Sequence, residues 1–368
     1  MKASIFVPCA YHGPSEGQGW PTPASVYSDE AAQETFQTAL AQCSLADEVG
    51  FDWVTVAEHH FAPFCITPNP MVLAGALTQA VKRAKIALLG ADIPILNPVR
   101  VAEEFAMLDA MSGGRVVAGM LRGTPNEYIT YNINPAESRA RFEEALQLIR
   151  MAWTEPEPFG WQGRYYQYKT ISIWPRPVQK PHPPIYMSGS SPESGEFAAR
   201  NRVGLGFAVT TLPLASKASR HYRAEAEKAG WTPTGDDIIY RVGCHVAETD
   251  DEALEDLQQP ASGRNPALSL ALTRRTDEVI AGAGYYGRDE AQKKRVAMAV
   301  SGDLESRIEN GQMLVGSPET VAEQIRHIHA ETGAGVLDLI PGPPRGDKAL
   351  KSIELIGTKV MPLVRELN

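Results

Sequence analysis

Cysteine is scarce in this 368-residue chain, and the four present, Cys9, Cys43, Cys65 and Cys244, lie far apart with no Cys-x-x-Cys pair. That pattern offers neither a disulfide framework nor a zinc site, and no metal site is expected. Long apolar runs are missing too: none reaches the roughly 18 residues that a membrane-spanning helix needs. The stretch before Pro8, with one lysine, is too short for the apolar core of a signal peptide. Basic clusters are absent, and 35 Lys+Arg face 44 Asp+Glu for a formal charge of −9. A nucleic acid or an anionic membrane held on a basic face is therefore not expected. The remaining composition, 43% hydrophobic and 21% charged, is that of a globular protein rather than a disordered one. The expectation is a soluble, reduced, cytoplasmic protein of enzyme size.

Strand-like and helix-like segments alternate along the whole chain. Residues 2–8, 51–57, 85–96, 116–120, 184–187, 204–209, 237–246 and 336–340 read as strands. Helical periodicity fills 29–49, 69–81, 98–111, 136–153, 191–200, 214–229, 318–331 and 348–363, and helical sequence also resumes at Asp251. Unbroken apolar runs such as 86–89 and 238–242 suit parallel strands buried on both faces. Eight strand–helix units without a linker predict one α/β domain over 1–368, a closed (β/α)8 TIM barrel, with a doubly wound open sheet as the alternative. Two segments exceed ordinary loop length: 153–183, rich in aromatic residues and proline, and 250–316, with Gly282, Gly284 and Gly287. Both are expected at the C-terminal mouth of the barrel, as pocket wall and lid.

Polar motifs gather at the strand ends, where barrel enzymes keep their chemistry. The second strand runs into Glu58-His59-His60-Phe61. Alternation puts Trp53, Thr55, Ala57 and His59 on one face and the branched pair Val54/Val56 on the other, so His59 is expected to face inward. A buried structural pair is the competing reading of the two histidines. Arg122 follows the fourth apolar run directly, placed either to meet an anion or to lie over the rim. In Ser188-Gly189-Ser190-Ser191-Pro192-Glu193-Ser194-Gly195, a strand end passes into a helix with Ser191 as N-cap and Pro192 in the first turn. Hydroxyls, free N–H groups and the helix dipole there suit a phosphate. Ser317-Pro318-Glu319-Thr320 repeats the cap without the preceding serine-rich turn and is read as a plain helix start.

Taken in order, Glu58-His59-His60-Phe61, Asn97-Pro98-Val99-Arg100, Leu108-Asp109 with Ser112 and Gly114-Arg115, Gly119 with Arg122-Gly123, Pro183-Pro184-Ile185-Tyr186 and Gly316-Ser317-Pro318-Glu319-Thr320 make a pattern. It resembles that of the bacterial luciferase-like flavin-dependent monooxygenases, across roughly the whole chain. The resemblance implies a TIM barrel, usually dimeric through its second and third helices, with reduced FMN as co-substrate in the mouth. His59 matches the histidine near the flavin edge, with Glu58 or His60 as the expected orienting partner. Arg122, Ser190, Ser191 and Ser194 match the phosphate-binding group, and Gly195 would lend a backbone N–H. Gly90, in Leu89-Gly90, falls where the family often has an unusual peptide bond against the flavin ring. Ser190 stands where luciferase itself has a glutamate.

The implied activity is an FMN-dependent monooxygenase that oxygenates a small organic substrate with O2 through a C4a-peroxyflavin, its reduced flavin coming from a separate flavin reductase. Tyr11, Trp20, Asp92, Tyr128, Trp174 and the lid would bound the substrate, whose identity the sequence leaves open. Deazaflavin-dependent hydride transfer on the same barrel is the alternative chemistry, and a flavin-binding protein without turnover is the alternative class.

Overall fold

The first and last strands of the chain lie side by side. In a computed structural model that describes residues 1–13, 20–208, 210–258, 303–342 and 344–367, β1 (Lys2–Phe6) pairs in parallel with β2 (Trp53–Val56) on one edge. On its other edge it pairs with β11 (Val336–Pro341). The order continues through β3 (Lys85–Asp92), β4 (Val116–Leu121), β7 (Ile185–Ser188), β8 (Gly204–Phe207) and β9 (Ile238–Val246). Because β9 pairs with both β8 and β11, all in parallel, the sheet closes into a barrel. The open sheet considered from the sequence is thereby excluded.

Helix starts recur just beyond strand ends, and the sequence shows why. Ser28 caps α1 (Asp29–Glu48), while Asn69 and Asn97, each followed by proline, cap α2 (Pro70–Ala80) and α3 (Pro98–Ser112). The cap oxygen takes an otherwise unpaired N–H, and proline in the first turn gives up a donor that had no partner. The outer ring continues with α5 (Ser138–Thr154), α6 (Pro192–Asn201), α7 (Leu212–Lys228), α10 (Pro318–Thr332) and α11 (Asp347–Leu355). A short α4 (Pro125–Thr130) lies between β4 and α5.

Two layers of packing follow from strand alternation. Val54, Val56, Ile86, Leu88 and Ala91 face outward into the large core shared with the helices. Trp53, Ala87, Leu89, Val117, Tyr186, Ile239 and Val336 fill the barrel interior. Above them runs a polar layer that the apolar strand pattern concealed. Asp338 accepts from Ser4 Oγ (2.7 Å) and Arg241 Nε (2.6 Å), and Ser4 Oγ meets Thr55 Oγ1 at 2.6 Å. The Arg241 guanidinium also lies 3.8 Å from the Phe6 ring centroid and donates to Leu89 O at 3.1 Å.

The long segments differ from expectation. Residues 153–183 follow α5 and feed the start of β7, so the segment returns to the opposite end of the barrel from the mouth. Gln179 donates to Asp109 near the end of α3 and to Val116 O at the start of β4, which pins its exit there. The segment carries an antiparallel hairpin, β5 (Phe159–Gln162) and β6 (Gln167–Ile171), against α5, and Trp174 is 85% exposed. Its aromatic residues were read as pocket wall, yet they pack on the outside of the ring. The other segment does leave the mouth side, from β9 into α8 (Asp250–Gln258), and returns through α9 (Leu304–Glu309) and β10 (Met313–Gly316). β10 takes the edge of β9 that β8 leaves free. The expected lid falls largely on 259–302, outside the described residues. The last predicted helix is α-helical only to Leu355, and its continuation, holding Gly357 and Pro362, is a π turn and a 3-10 turn. Among the described residues no helix is long and apolar enough to cross a membrane.

Candidate active site

The end of β2 divides its two histidines. His60 turns into the wall, where its Nε2 lies 3.1 Å from Glu58 Oε1 and both side chains are nearly fully buried. The other Glu58 oxygen accepts the Asp92 N–H at 3.0 Å, tying the tip of β3 to that of β2. His60 O accepts from Trp20 Nε1 at 2.9 Å. This pair is structural and cannot orient His59, contrary to the expectation.

His59 faces the mouth, a quarter exposed, with its ring 4.6 Å from that of Phe64. Its Nδ1 lies 3.2 Å from Oε1 of Glu127, a residue the sequence reading passed over. Glu127 comes from α4, where its other oxygen accepts the N–H and hydroxyl of Thr124. Thr124-x-x-Glu127 is a capping box, and that spacing was the available signal. Burial pushes the Glu127 carboxyl up, but the His59 and Thr124 contacts outweigh it and leave the group below the usual carboxylate range. An ionised Glu127 only accepts, so it fixes the proton of a neutral His59 ring on Nδ1 and leaves Nε2 as the acceptor.

Across the mouth, Ser191 Oγ caps α6, accepting the Ser194 N–H at 3.3 Å and lying 3.1 Å from Ser194 Oγ. Ser190 is exposed beside them. Arg122 is close enough that, after Glu193's own N–H and the Ser191 hydroxyl, its charge and that of Arg139 help hold Glu193 below its ordinary range. A Cβ on Gly189 would stand 2.5 Å from Ser194 Cβ, so glycine keeps the turn tight against the hydroxyls. The structure thus brings Arg122, Ser190, Ser191 and Ser194 to one side and His59 to another. Gly195 is the correction: its N–H already bonds Ser191 O at 3.1 Å within α6 and is not available to a ligand. The second Ser-Pro-Glu helix start differs as expected, since Asp250 accepts from Ser317 N (2.6 Å) and Thr320 Oγ1 (2.9 Å), filling the N-terminus of α10 with a protein carboxylate.

Gly90 lies in an irregularity of β3 between Leu88 and Ala91, where a Cβ would come 2.0 Å from Leu121 Cγ. The cis peptide bonds among the described residues all precede prolines, and Leu89–Gly90 is not one of them. A separate cavity opens behind the wall, between the starts of α2 and α3, lined by Glu58, Asn69, Ala91, Asn97, Arg100 and Tyr131.

Known proteins share sequence and fold with this chain. The oxygenase component of the flavin-dependent trigonelline monooxygenase of Acinetobacter baylyi is 28% identical over 209 residues, 55% of this chain and 57% of that protein. The chain spans about half the length of the curated relatives it matches. Among solved structures, the monooxygenase RslO1 of Streptomyces bottropensis superposes with a TM-score of 0.76 at 26% identity, covering 98% of this chain and 99% of that one. The oxygenating constituent of 3,6-diketocamphane monooxygenase of Pseudomonas putida, solved with FMN, gives 0.74 at 23% identity and 98% of both chains. F420-dependent enzymes share the barrel as well. The model of the luciferase-like monooxygenase family matches residues 12–335, and the chain belongs to that family.

Proposed function

We propose that this protein is the oxygenase of a two-component system, taking reduced FMN from a separate flavin reductase and using O2 to oxygenate a small organic substrate in the barrel mouth. The observation that carries the reading is the pairing of a mouth-facing His59, oriented by a buried carboxylate, with a serine-lined helix start near Arg122 across the same opening. The residues fit the cofactor: Arg122 and the hydroxyls of Ser190, Ser191 and Ser194 at the positive end of the α6 dipole would hold its phosphate, and Gly90 is assigned to the neighbourhood of its ring. When bound, reduced FMN supplies the electrons that activate oxygen. His59 Nε2 accepts and returns a proton at the reacting edge, and Glu127 stabilises the imidazolium while that proton is held. A lid within 250–316 would exclude water from this opening. Val72 on α2 and Met107 and Met111 on α3 are 72%, 54% and 45% exposed, and we assign this face to a homodimer contact.

The test is oxygen uptake with a flavin reductase and a panel of aldehydes, ketones and N-heteroaromatics, scoring oxygen recovered in product against hydrogen peroxide. His59→Ala is expected to keep FMN binding and to shift the recovered oxygen from product to hydrogen peroxide. Coupling unchanged from the parent protein would remove His59 from this role. Titration with reduced FMN and with a reduced deazaflavin separates the hydride-transfer alternative, which predicts tighter binding of the deazaflavin.

A further inference from the structure

Among the described residues, buried carboxylates have their oxygens accounted for, with one exception. Asp338 takes Ser4 and Arg241, Asp109 takes the backbone and side-chain N–H groups of Gln179, and Glu58 takes His60 and the Asp92 N–H. Asp92 is 3% exposed, yet its Oδ2 has no partner. It stands at the tip of β3, in register with Leu121. Its neighbour Ala91 packs into the outer core, so the Asp92 side chain points to the mouth side. There it meets the turn after β4 at Gly123 (φ 82°), where an added Cβ would stand 3.2 Å from Asp92 Cγ. The ionisable groups on the elements around it are Glu58, His59 and His60 from β2, Arg122 at the end of β4, and Glu127 from α4.

We propose that Asp92 is a neutral carboxylic acid whose O–H donates a hydrogen bond to an uncharged acceptor, a carbonyl oxygen or an aromatic ring nitrogen, of the molecule bound in the mouth. The inference rests on reading the mouth as the cofactor and substrate site. A third negative charge in this wall would be desolvated beside two others. Burial first, then the charges of Glu127 and Glu58, hold the Asp92 carboxyl well above its ordinary range. A buried donor with no protein acceptor turns to a bound water or a ligand, and a ligand in the mouth takes the water's place. The nearby ionised Glu127 disfavours an anion and leaves a neutral acceptor. Two sources share that chemistry: a carbonyl of the flavin ring and a carbonyl or ring nitrogen of the substrate.

Asp92→Asn keeps a donor and cannot ionise, whereas Asp92→Leu removes the donor at similar volume. Infrared difference spectra of the full ligand-free chain at pH 7 are expected to show a protonated-carboxyl stretch that shifts in D2O and disappears in Asp92→Asn. Oxidised FMN, cyclohexanone and nicotinamide are then titrated as probes. Asp92→Leu is expected to lose about tenfold in affinity for the probe that Asp92 contacts, and Asp92→Asn to stay within threefold of the parent, as one neutral hydrogen bond implies. Loss confined to FMN identifies the flavin carbonyl as the acceptor, and loss confined to the small probes identifies the substrate. Equal binding of all three probes by Asp92→Leu, with its thermal stability intact, overturns the proposal, as does an infrared band that survives in Asp92→Asn. The band is read without ligand. A parent protein that shows the band and binds no FMN therefore overturns the flavin reading and leaves the Asp92 proton standing.

Discussion

At the scale of single residues, adjacent side chains of similar chemistry have been given opposite tasks by strand alternation. His60 and Glu58 hydrogen-bond each other inside the wall, while His59 is handed to a carboxylate from another element. Glu127→Gln tests that division. The amide can turn its NH2 toward Nδ1, which removes the preference for a proton there and leaves Nε2 no longer held as acceptor. Product coupling is expected to fall by roughly 10- to 100-fold, by analogy with the loss of a partner that orients a metal-bound imidazole. The 15N shifts of His59 should report the change of tautomer in protein without cofactor. Unaltered shifts would mean that Glu127 does not set the ring. His59 was legible because it lies in a strand-end motif with a definite parity. Glu127 was not, because its partner lies 68 positions away and only the pairing of β2, β3 and β4 brings them together.

At the scale of elements, helix starts were the most legible feature, since Ser or Asn followed by proline marks the beginnings of α2, α3, α6 and α10. The β5–β6 hairpin was missed because its strands are short and its burial depends on one residue of another element. Glu144 of α5 accepts from Trp161 Nε1 (3.2 Å) and from the N–H groups of Arg164, Tyr165 and Tyr166 (each 3.0 Å). Glu144→Ala is expected to release the hairpin at a cost of about 2–3 kcal/mol. Hydrogen exchange should rise in 159–171 and stay unchanged in the barrel strands. Burial pushes the Glu144 carboxyl up, but those four donors outweigh it and hold the group below its usual range. The anchoring is therefore complete above the ordinary glutamate pKa and is lost as pH falls through the depressed folded value. Exchange in the hairpin measured from pH 6 down to pH 3 checks the sign.

At the scale of the whole molecule, closure creates relations that no segment contains. Arg241 and Asp338, on β9 and β11, form an ion pair inside the barrel and reach Leu89 O on β3, so a single buried network ties the strand carrying Gly90 to the far side. The apolar face of α2 and α3 is likewise a property of the assembled surface. Met107→Glu with Met111→Glu is expected to shift the protein from dimer to monomer in sedimentation velocity while leaving its circular dichroism unchanged. A parent protein that sediments as a monomer would remove the assignment of that face.

The sequence by itself determined the order of eight alternating strand–helix units, with capped helices and doubly buried strands, while closure of the sheet rests on β9 pairing with both β8 and β11. It also marked His59, Arg122 and the serine turn, because each sits where a strand must end. Tertiary structure alone decided which partner orients His59, that Gly195 spends its N–H inside α6, that the 159–171 hairpin packs on the outside of the helix ring, and that Asp92 is buried with its Oδ2 unpaired. Local periodicity reports which way a side chain points relative to its own element. What it meets there depends on residues that only the folded chain brings close.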